Sequence, residues 1–273
     1  MNKTALFIIT FLIPFFVFAS TADTIRVYSK SMDKFIPNIV VLPESYSPSQ
    51  QYPTLYLLHG ADGDYTDWLF LVPQIKYYAD LYNILIVCPD GASTSWYFDS
   101  PIDETFRYET YISQELTGFI DDNYNTIPHK SARAITGLSM GGHGAFYLAF
   151  KHQDIWGAAG SMSGGVDIRP FPNNWDLPKR LGNYENHKDF WEQNTVLNLV
   201  HKLRGDNLKL IFDCGVDDFF LDVNKKLHKK LIEKNIPHDY IERPGGHSWE
   251  YWANALKYQL LFFNDFFKNQ NTN

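Results

Sequence analysis

Strand-like and helix-like segments alternate along this chain. That order predicts an α/β fold, with a mostly parallel sheet and helices on both faces. Two runs, Leu55-Tyr56-Leu57-Leu58 and Ile84-Leu85-Ile86-Val87, are apolar throughout. Strands buried on both faces have this pattern. No repeat, low-complexity tract or charge block divides residues 23–273, so they are expected to form a single domain.

The elements follow in order. Lys3 precedes an uncharged apolar run, Ala5 to Ala19, broken by Thr10 and Pro14 and followed by Ser20-Thr21-Ala22. A basic start, a short apolar run and a small-residue exit read as a secretory signal peptide over residues 1–22. Val17-Phe18-Ala19 offers an earlier cleavage point. A spanning helix takes about 20 apolar residues, more than this run holds. The protein is therefore expected to be secreted or periplasmic, with no stable membrane insertion after cleavage.

Thr24–Lys30 and Phe35–Leu42 read as strands separated only by four residues, which suits an antiparallel pair. Further strands are expected at Thr54–Leu58, Ile84–Cys88, Arg133–Leu138, Gly157–Met162, Leu208–Cys214 and His238–Arg243. Helices are expected at Trp68–Tyr82, Thr105–Tyr124, Met140–Lys151, Phe219–Lys234 and Trp249–Phe267. The connection 164–207 is too long for a plain crossover and contains a short helix around Asp189–Leu203. Loops of this length often serve as lids or binding segments, so it is a candidate lid or substrate-loop insertion.

Composition narrows the function. The 24 basic and 31 acidic side chains give a net charge of −7, which argues against a nucleic-acid or anionic-membrane binder. A hydrophobic share of 45% excludes wholesale disorder. The aromatic share, 16%, is high. Cys88 and Cys214 end apolar strand-like runs and read as buried free thiols, with a bridge as the alternative. Nothing has zinc-site spacing.

The sharpest motif is Gly137-Leu138-Ser139-Met140-Gly141, followed by Gly142. A strand-like run enters it and a helix-like run leaves it, the setting of a nucleophile elbow. A serine hydroxyl needs a base, and the base an orienting acid. Both are available downstream, each just past an expected strand: Asp217-Asp218 after Leu208–Cys214, and His247 after His238–Arg243. The C-terminal ends of parallel strands share one edge of the sheet, where ligands bind. His247 also has Trp249, Tyr251 and Trp252 nearby. The oxyanion-hole donors are expected to be the backbone N–H groups of Met140 and of Ala61, in the loop Leu58-His59-Gly60-Ala61. His59 and His143 read as structural, and His129, His187, His201 and His228 as surface residues. Asp62-Gly63-Asp64 lacks the further ligands of a calcium loop. No metal and no cofactor are expected.

Leu57-Leu58-His59-Gly60 with Trp68, Gly137-Leu138-Ser139-Met140-Gly141-Gly142, Cys214-Gly215-Val216-Asp217-Asp218-Phe219 and Gly245-Gly246-His247-Ser248-Trp249 together resemble the Putative esterase family of α/β-hydrolases. The family includes esterase D-like enzymes, feruloyl and acetylxylan esterases, S-formylglutathione hydrolases and mycolyltransferases. The resemblance covers nearly all of residues 24–268 and implies an α/β-hydrolase fold with an eight-stranded, mostly parallel sheet. Its G-x-x-D pattern assigns the catalytic acid to Asp218, with Asp217 as fallback. In that fold the strands ending at Cys88 and Cys214 are not neighbours, which argues against a bridge.

Export points to the secreted feruloyl and acetylxylan esterases, and so to a serine esterase acting on acylated carbohydrate. The alternatives are an acyltransferase with an alcohol acceptor and a noncatalytic carbohydrate-binding protein on the same scaffold. Substrate contacts are expected from Trp96, Tyr97, Trp175 and Trp249. Asp99, Asp103 and Glu104 are expected to form an acidic rim.

Overall fold

The computed structural model describes residues 20–205 and 207–270. The apolar run of the expected signal peptide lies outside the described residues. Eight strands form one sheet: β1 (Thr21–Ser29), β2 (Lys34–Leu42), β3 (Thr54–Leu58), β4 (Leu85–Pro89), β5 (Arg133–Gly137), β6 (Ala158–Met162), β7 (Lys209–Gly215) and β8 (Asp239–Arg243). Their order is β1-β2-β4-β3-β5-β6-β7-β8. β2 runs antiparallel to β1 and β4, and the remaining neighbours are parallel. β1 starts before the expected boundary at Ala22: Thr21 and Ala22 pair with Leu42 and Val41. Cleavage after Ala19 would leave this strand whole.

Alternate residues of the central strands enter two separate cores. Leu55, Leu57, Ile86 and Ala134 pack with the helices Asp67–Leu71, Ile75–Tyr82 and Trp249–Gln270. Tyr56, Leu58, Val87 and Ile135 pack with the helices Met140–Lys151 and Leu221–Glu233 and with the 164–207 segment. This period-two division explains why the strands are apolar throughout. Cys88 and Cys214 are buried free thiols on β4 and β7, with three strands between them.

Two helices differ from expectation. The one expected over Trp68–Tyr82 breaks between Leu71 and Ile75. Pro73 follows Val72 and disfavours helical backbone there; Val72 sits at φ −132°, ψ 64°. The one expected from Thr105 starts at Tyr108 and contains a π-helical stretch, Tyr111–Leu116. The long segment forms three short helices, Leu177–Leu181, Lys188–Asn194 and Val196–Leu199. Extended backbone at Thr195 separates the last two, where one helix was expected.

This segment is packed as a wall. Val166, Ile168, Leu177, Leu181, Trp191 and Val196 belong to the core. Asn194 is held twice by the helix Met140–Lys151: its carbonyl accepts from His143 Nε2 at 3.0 Å and its Oδ1 from the Tyr147 hydroxyl at 2.8 Å. The same tyrosine contacts Glu109 Oε2 at 2.5 Å, where Lys151 Nζ also donates, and His152 Nε2 lies 2.8 Å from Oε1.

Burial alone would push the Glu109 carboxyl up, but His152, Lys151 and Tyr147 outweigh it and hold it near about 2. A carboxylate with a depressed folded-state pKa stabilises the fold above its unfolded value, about 4.3, and that stability is lost as pH falls toward 2. Glu109→Gln is therefore expected to cost about 3 kcal/mol at neutral pH. It should also flatten the decline in thermal midpoint below pH 4.5. Melting curves from about pH 2.5 to pH 7 check both points.

Candidate active site

Ser139 sits between β5 and the helix Met140–Lys151 at φ 53°, ψ −115°. A non-glycine residue pays roughly 1–3 kcal/mol for such backbone. The turn is tight enough to demand glycine beside it. A Cβ on Gly141 would lie 2.5 Å from the His59 carbonyl oxygen, and one on Gly137 would lie 2.7 Å from the Gly141 backbone. Gly141→Ala is expected to lower stability by more than about 3 kcal/mol, because the backbone at Leu58 and His59 must move. Denaturant titration measures this, and an unchanged midpoint would refute it.

Most of the positive-φ non-glycine backbone among the described residues lies at this edge of the sheet, with Asp33, Asn83 and Asn235 in turns elsewhere. Asp62, Ala92, Trp96, Tyr97, Ser139, Ser163, Trp175 and Asp176 all have positive φ. All belong to loops around Ser139 or to the segment packed beside it. Strained backbone concentrates where function over-determines a conformation.

The loops after β7 and β8 meet Ser139. The Ser139 hydroxyl lies 2.9 Å from His247 Nε2, and His247 Nδ1 lies 2.8 Å from Asp218 Oδ2. A carboxylate only accepts, so Nδ1 carries the proton and Nε2 is left to accept from the serine. The Asp218 side chain is fully buried, and its Oδ1 accepts from the Phe220 N–H at 2.8 Å. Asp217 is exposed and takes no part in this chain of bonds.

Gly60 approaches the serine closely; a Cβ there would lie 3.5 Å from Ser139 Cβ and 2.5 Å from Leu138 Cδ1. Ala61 follows it and lines the same cleft. Among the described residues, neither the Ala61 N–H nor the Met140 N–H donates to a protein acceptor. His59 holds this loop. Its Nε2 accepts from the Gly91 N–H at 2.8 Å, so Nδ1 carries the proton and donates to the Gly60 carbonyl at 2.8 Å. His143 is buried among Trp96, Phe98 and Tyr147. Burial pushes its imidazole down to about 4, so it stays neutral. Among the described residues no cluster of three or more His, Cys, Asp or Glu could hold a metal ion.

The cleft encloses about 710 Å³. Of the aromatics expected to touch substrate, Trp175 and Trp249 line the cleft. Trp96 and Tyr97 do not: both are buried, at 1% and 0% exposure. Positive φ turns these two residues into the core, where they act as supports. Trp96 Nε1 donates to the Trp175 carbonyl at 3.2 Å, and the Tyr97 hydroxyl donates to the His59 carbonyl at 3.1 Å.

The expected acidic rim is also relocated. Asp99 is taken up by Thr110 and Arg107, and Asp103 by Thr105 and Arg180. Neither these two nor Glu104 lines the cleft; Asp62 and Asp67 do. Two further aromatics line the cleft: Phe219, which the sequence did not single out, and Trp252, which it placed beside His247. Phe219 packs on His247 at 4.3 Å between centroids and stacks on Trp175 at 5.9 Å. Trp252 meets the imidazole edge-on at 4.8 Å. Phe219 adjoins the acid and Trp252 lies one helical turn past Trp249, so adjacency and helical spacing were the available signals.

One polar cluster lies beneath the loops. Gln259, on the helix Trp249–Gln270, bonds Thr136 of β5, the Ser161 carbonyl of β6 and Asp213 Oδ2 of β7. Arg243 of β8 lies 3.5 Å from Asp213 Oδ1. Burial pushes the Asp213 carboxyl up to about 6, against the pull of Arg243 and Gln259. The four strands joined here carry the loops of Ser139, Ser163, Asp218 and His247.

Known proteins share this architecture. A ferulic acid esterase structure superposes with a TM-score of 0.79 at 29% identity, over 92% of this chain and 99% of that one. An S-formylglutathione hydrolase from Staphylococcus aureus, 21% identical, superposes with a TM-score of 0.78 over 90% of this chain and 99% of that one, and so shares the fold. An acetyl esterase of Caldicellulosiruptor saccharolyticus is 30% identical over 86% of this chain and 96% of its own length. A diacylglycerol acyltransferase/mycolyltransferase of Mycobacterium tuberculosis is 29% identical over 76% of this chain and 72% of its own length. The family model described as Putative esterase matches residues 29–263. That match takes in every loop that converges on the cleft, and the chain accordingly belongs to the Putative esterase family of α/β-hydrolases and is a carboxylic ester hydrolase.

Proposed function

We propose that the protein is an exported serine esterase that removes acetyl or feruloyl groups from polysaccharides through an acyl-enzyme. The observation that carries this reading is the Ser139–His247–Asp218 chain of hydrogen bonds opening into an aromatic cleft. His247 Nε2 takes the Ser139 proton as Oγ attacks the ester carbonyl. Asp218 fixes the imidazole and stabilises its cation. The Met140 and Ala61 N–H groups receive the oxyanion, each worth roughly 10²–10³ in rate. His247 then returns the proton to the departing alcohol, and a water activated by the same nitrogen releases the acid.

The relatives named acetyl esterase and ferulic acid esterase support the two acyl groups. The apolar leader supports export, and the β1 register favours cleavage after Ala19. Among the described residues no helix is long and apolar enough to cross a membrane. A panel of methyl ferulate, acetylated xylan, other acetylated glycans and short p-nitrophenyl esters tests the reading. Inactivity on every acylated glycan and on methyl ferulate, with p-nitrophenyl esters hydrolysed, would refute the substrate class.

Asp62 and Asp67 give the cleft a negative rim, so uronate-bearing esters are expected to react at least about fivefold more slowly than neutral ones at low salt. Equal rates at low ionic strength would contradict this. The acyltransferase relative favours a second reading, transfer of the acyl group to an alcohol. Partition of product between water and added sugar alcohols separates the two.

A further inference from the structure

A second concavity, of about 840 Å³, lies beside the catalytic cleft. The same two parts of the chain wall both. On one side Asp67 lines the cleft, and Val72, Gln74 and Tyr77 line the groove a few residues later. On the other, His247 and Trp249 line the cleft, and Gly246, Glu250 and Asn254 line the groove. Ser248 borders both. Trp68 packs edge-on against Trp249 at 5.2 Å and joins the two walls between them.

The lining has a definite chemistry. Tyr77 presents a ring that is 60% exposed. Gln74 and Asn254 present exposed primary amides, each with donors and acceptors. Glu250 and Lys257 contribute one charge of each sign. An exposed ring flanked by bifunctional amides, with no net charge, matches a neutral sugar: its C–H face lies on the ring and its hydroxyls both donate and accept.

Position points the same way. The proton on His247 goes to the departing alcohol, so the alcohol half of the ester lies beside the loop that carries this histidine. That loop, 244–248, is the boundary between cleft and groove. We infer that the groove binds the alcohol half of the substrate, as a run of neutral sugar residues extending beyond the one that bears the acyl group. This rests on the polysaccharide-esterase reading above and adds the place where the glycan chain lies.

The test uses acetylated xylo-oligosaccharides of increasing length, with p-nitrophenyl acetate as the short ester. Wild type is compared with Tyr77→Ala and with a Gln74→Ala/Asn254→Ala double variant. Wild-type kcat/KM is expected to rise about tenfold with chain length, through KM, and both variants should lose most of that gain. Their kcat/KM on p-nitrophenyl acetate should stay within about twofold of wild type, which also shows that they fold. Equal wild-type rates at every length, or a length gain that survives both variants, would overturn the groove and leave the esterase reading intact. Hydrolysis of p-nitrophenyl acetate without any acylated sugar would overturn the polysaccharide reading, and the groove with it.

Discussion

Ser139→Ala is expected to lower kcat on short p-nitrophenyl esters by on the order of 10⁵, with KM little changed. The hydroxyl stands at the elbow and 2.9 Å from a histidine nitrogen able to accept its proton. Removing it leaves the oxyanion donors and the binding walls, so a residual rate above that of water is expected. The substitution deletes one oxygen at a residue only 9% exposed, so the fold should survive. Circular dichroism and the thermal midpoint check that point. Retention of the parent rate would dispose of the acyl-enzyme mechanism.

Asp218→Asn is expected to lower kcat by about 10⁴, and Asp217→Asn by less than threefold. The two neighbours differ in every relevant respect. Asp218 is buried and accepts a hydrogen bond from His247 Nδ1–H on one oxygen and from the Phe220 N–H on the other. An asparagine amide that keeps the Phe220 bond offers its NH₂ to Nδ1, which favours the wrong tautomer and leaves no acceptor at Nε2. Asp217 points into solvent, and its loss changes only a screened surface charge. Equal small effects of the two substitutions would refute the assignment.

Much of this was legible in the sequence because each catalytic candidate stands just past an apolar run. Parallel strands carry such positions to one edge, so order along the chain became proximity in space. Local spacing did not distinguish Asp217 from Asp218; only the G-x-x-D resemblance favoured one, and in the structure it is Asp218 that bonds His247. Facing was illegible where the backbone is unusual. Trp96 and Tyr97 are expected to touch substrate because their loop follows a strand at the catalytic edge, yet positive φ at both sends them into the core. Charge placement failed for a different reason. Asp103 is taken up by nearby Thr105 and by Arg180, 77 residues on, and Asp99 by Arg107 and Thr110 across a fold of its own loop, pairings that the sequence order does not display. The helix break at Pro73, by contrast, has a local signal, the proline itself.

The cluster around Gln259 bears on how the site comes into being during synthesis. Its partners on β5, β6 and β7 are translated 46 to 123 residues earlier than the glutamine itself. Those strands can pair as they emerge, but their common tie is made on the ribosome only after His247 and the first half of the final helix. Until then Thr136, the Ser161 carbonyl and Asp213 lack the side chain that joins them. A nascent chain halted before Gln259 would hold every candidate catalytic residue and still lack the part that sets their loops against one another. Hydrolytic competence would thus arrive only once Gln259 and the helix that carries it are in place.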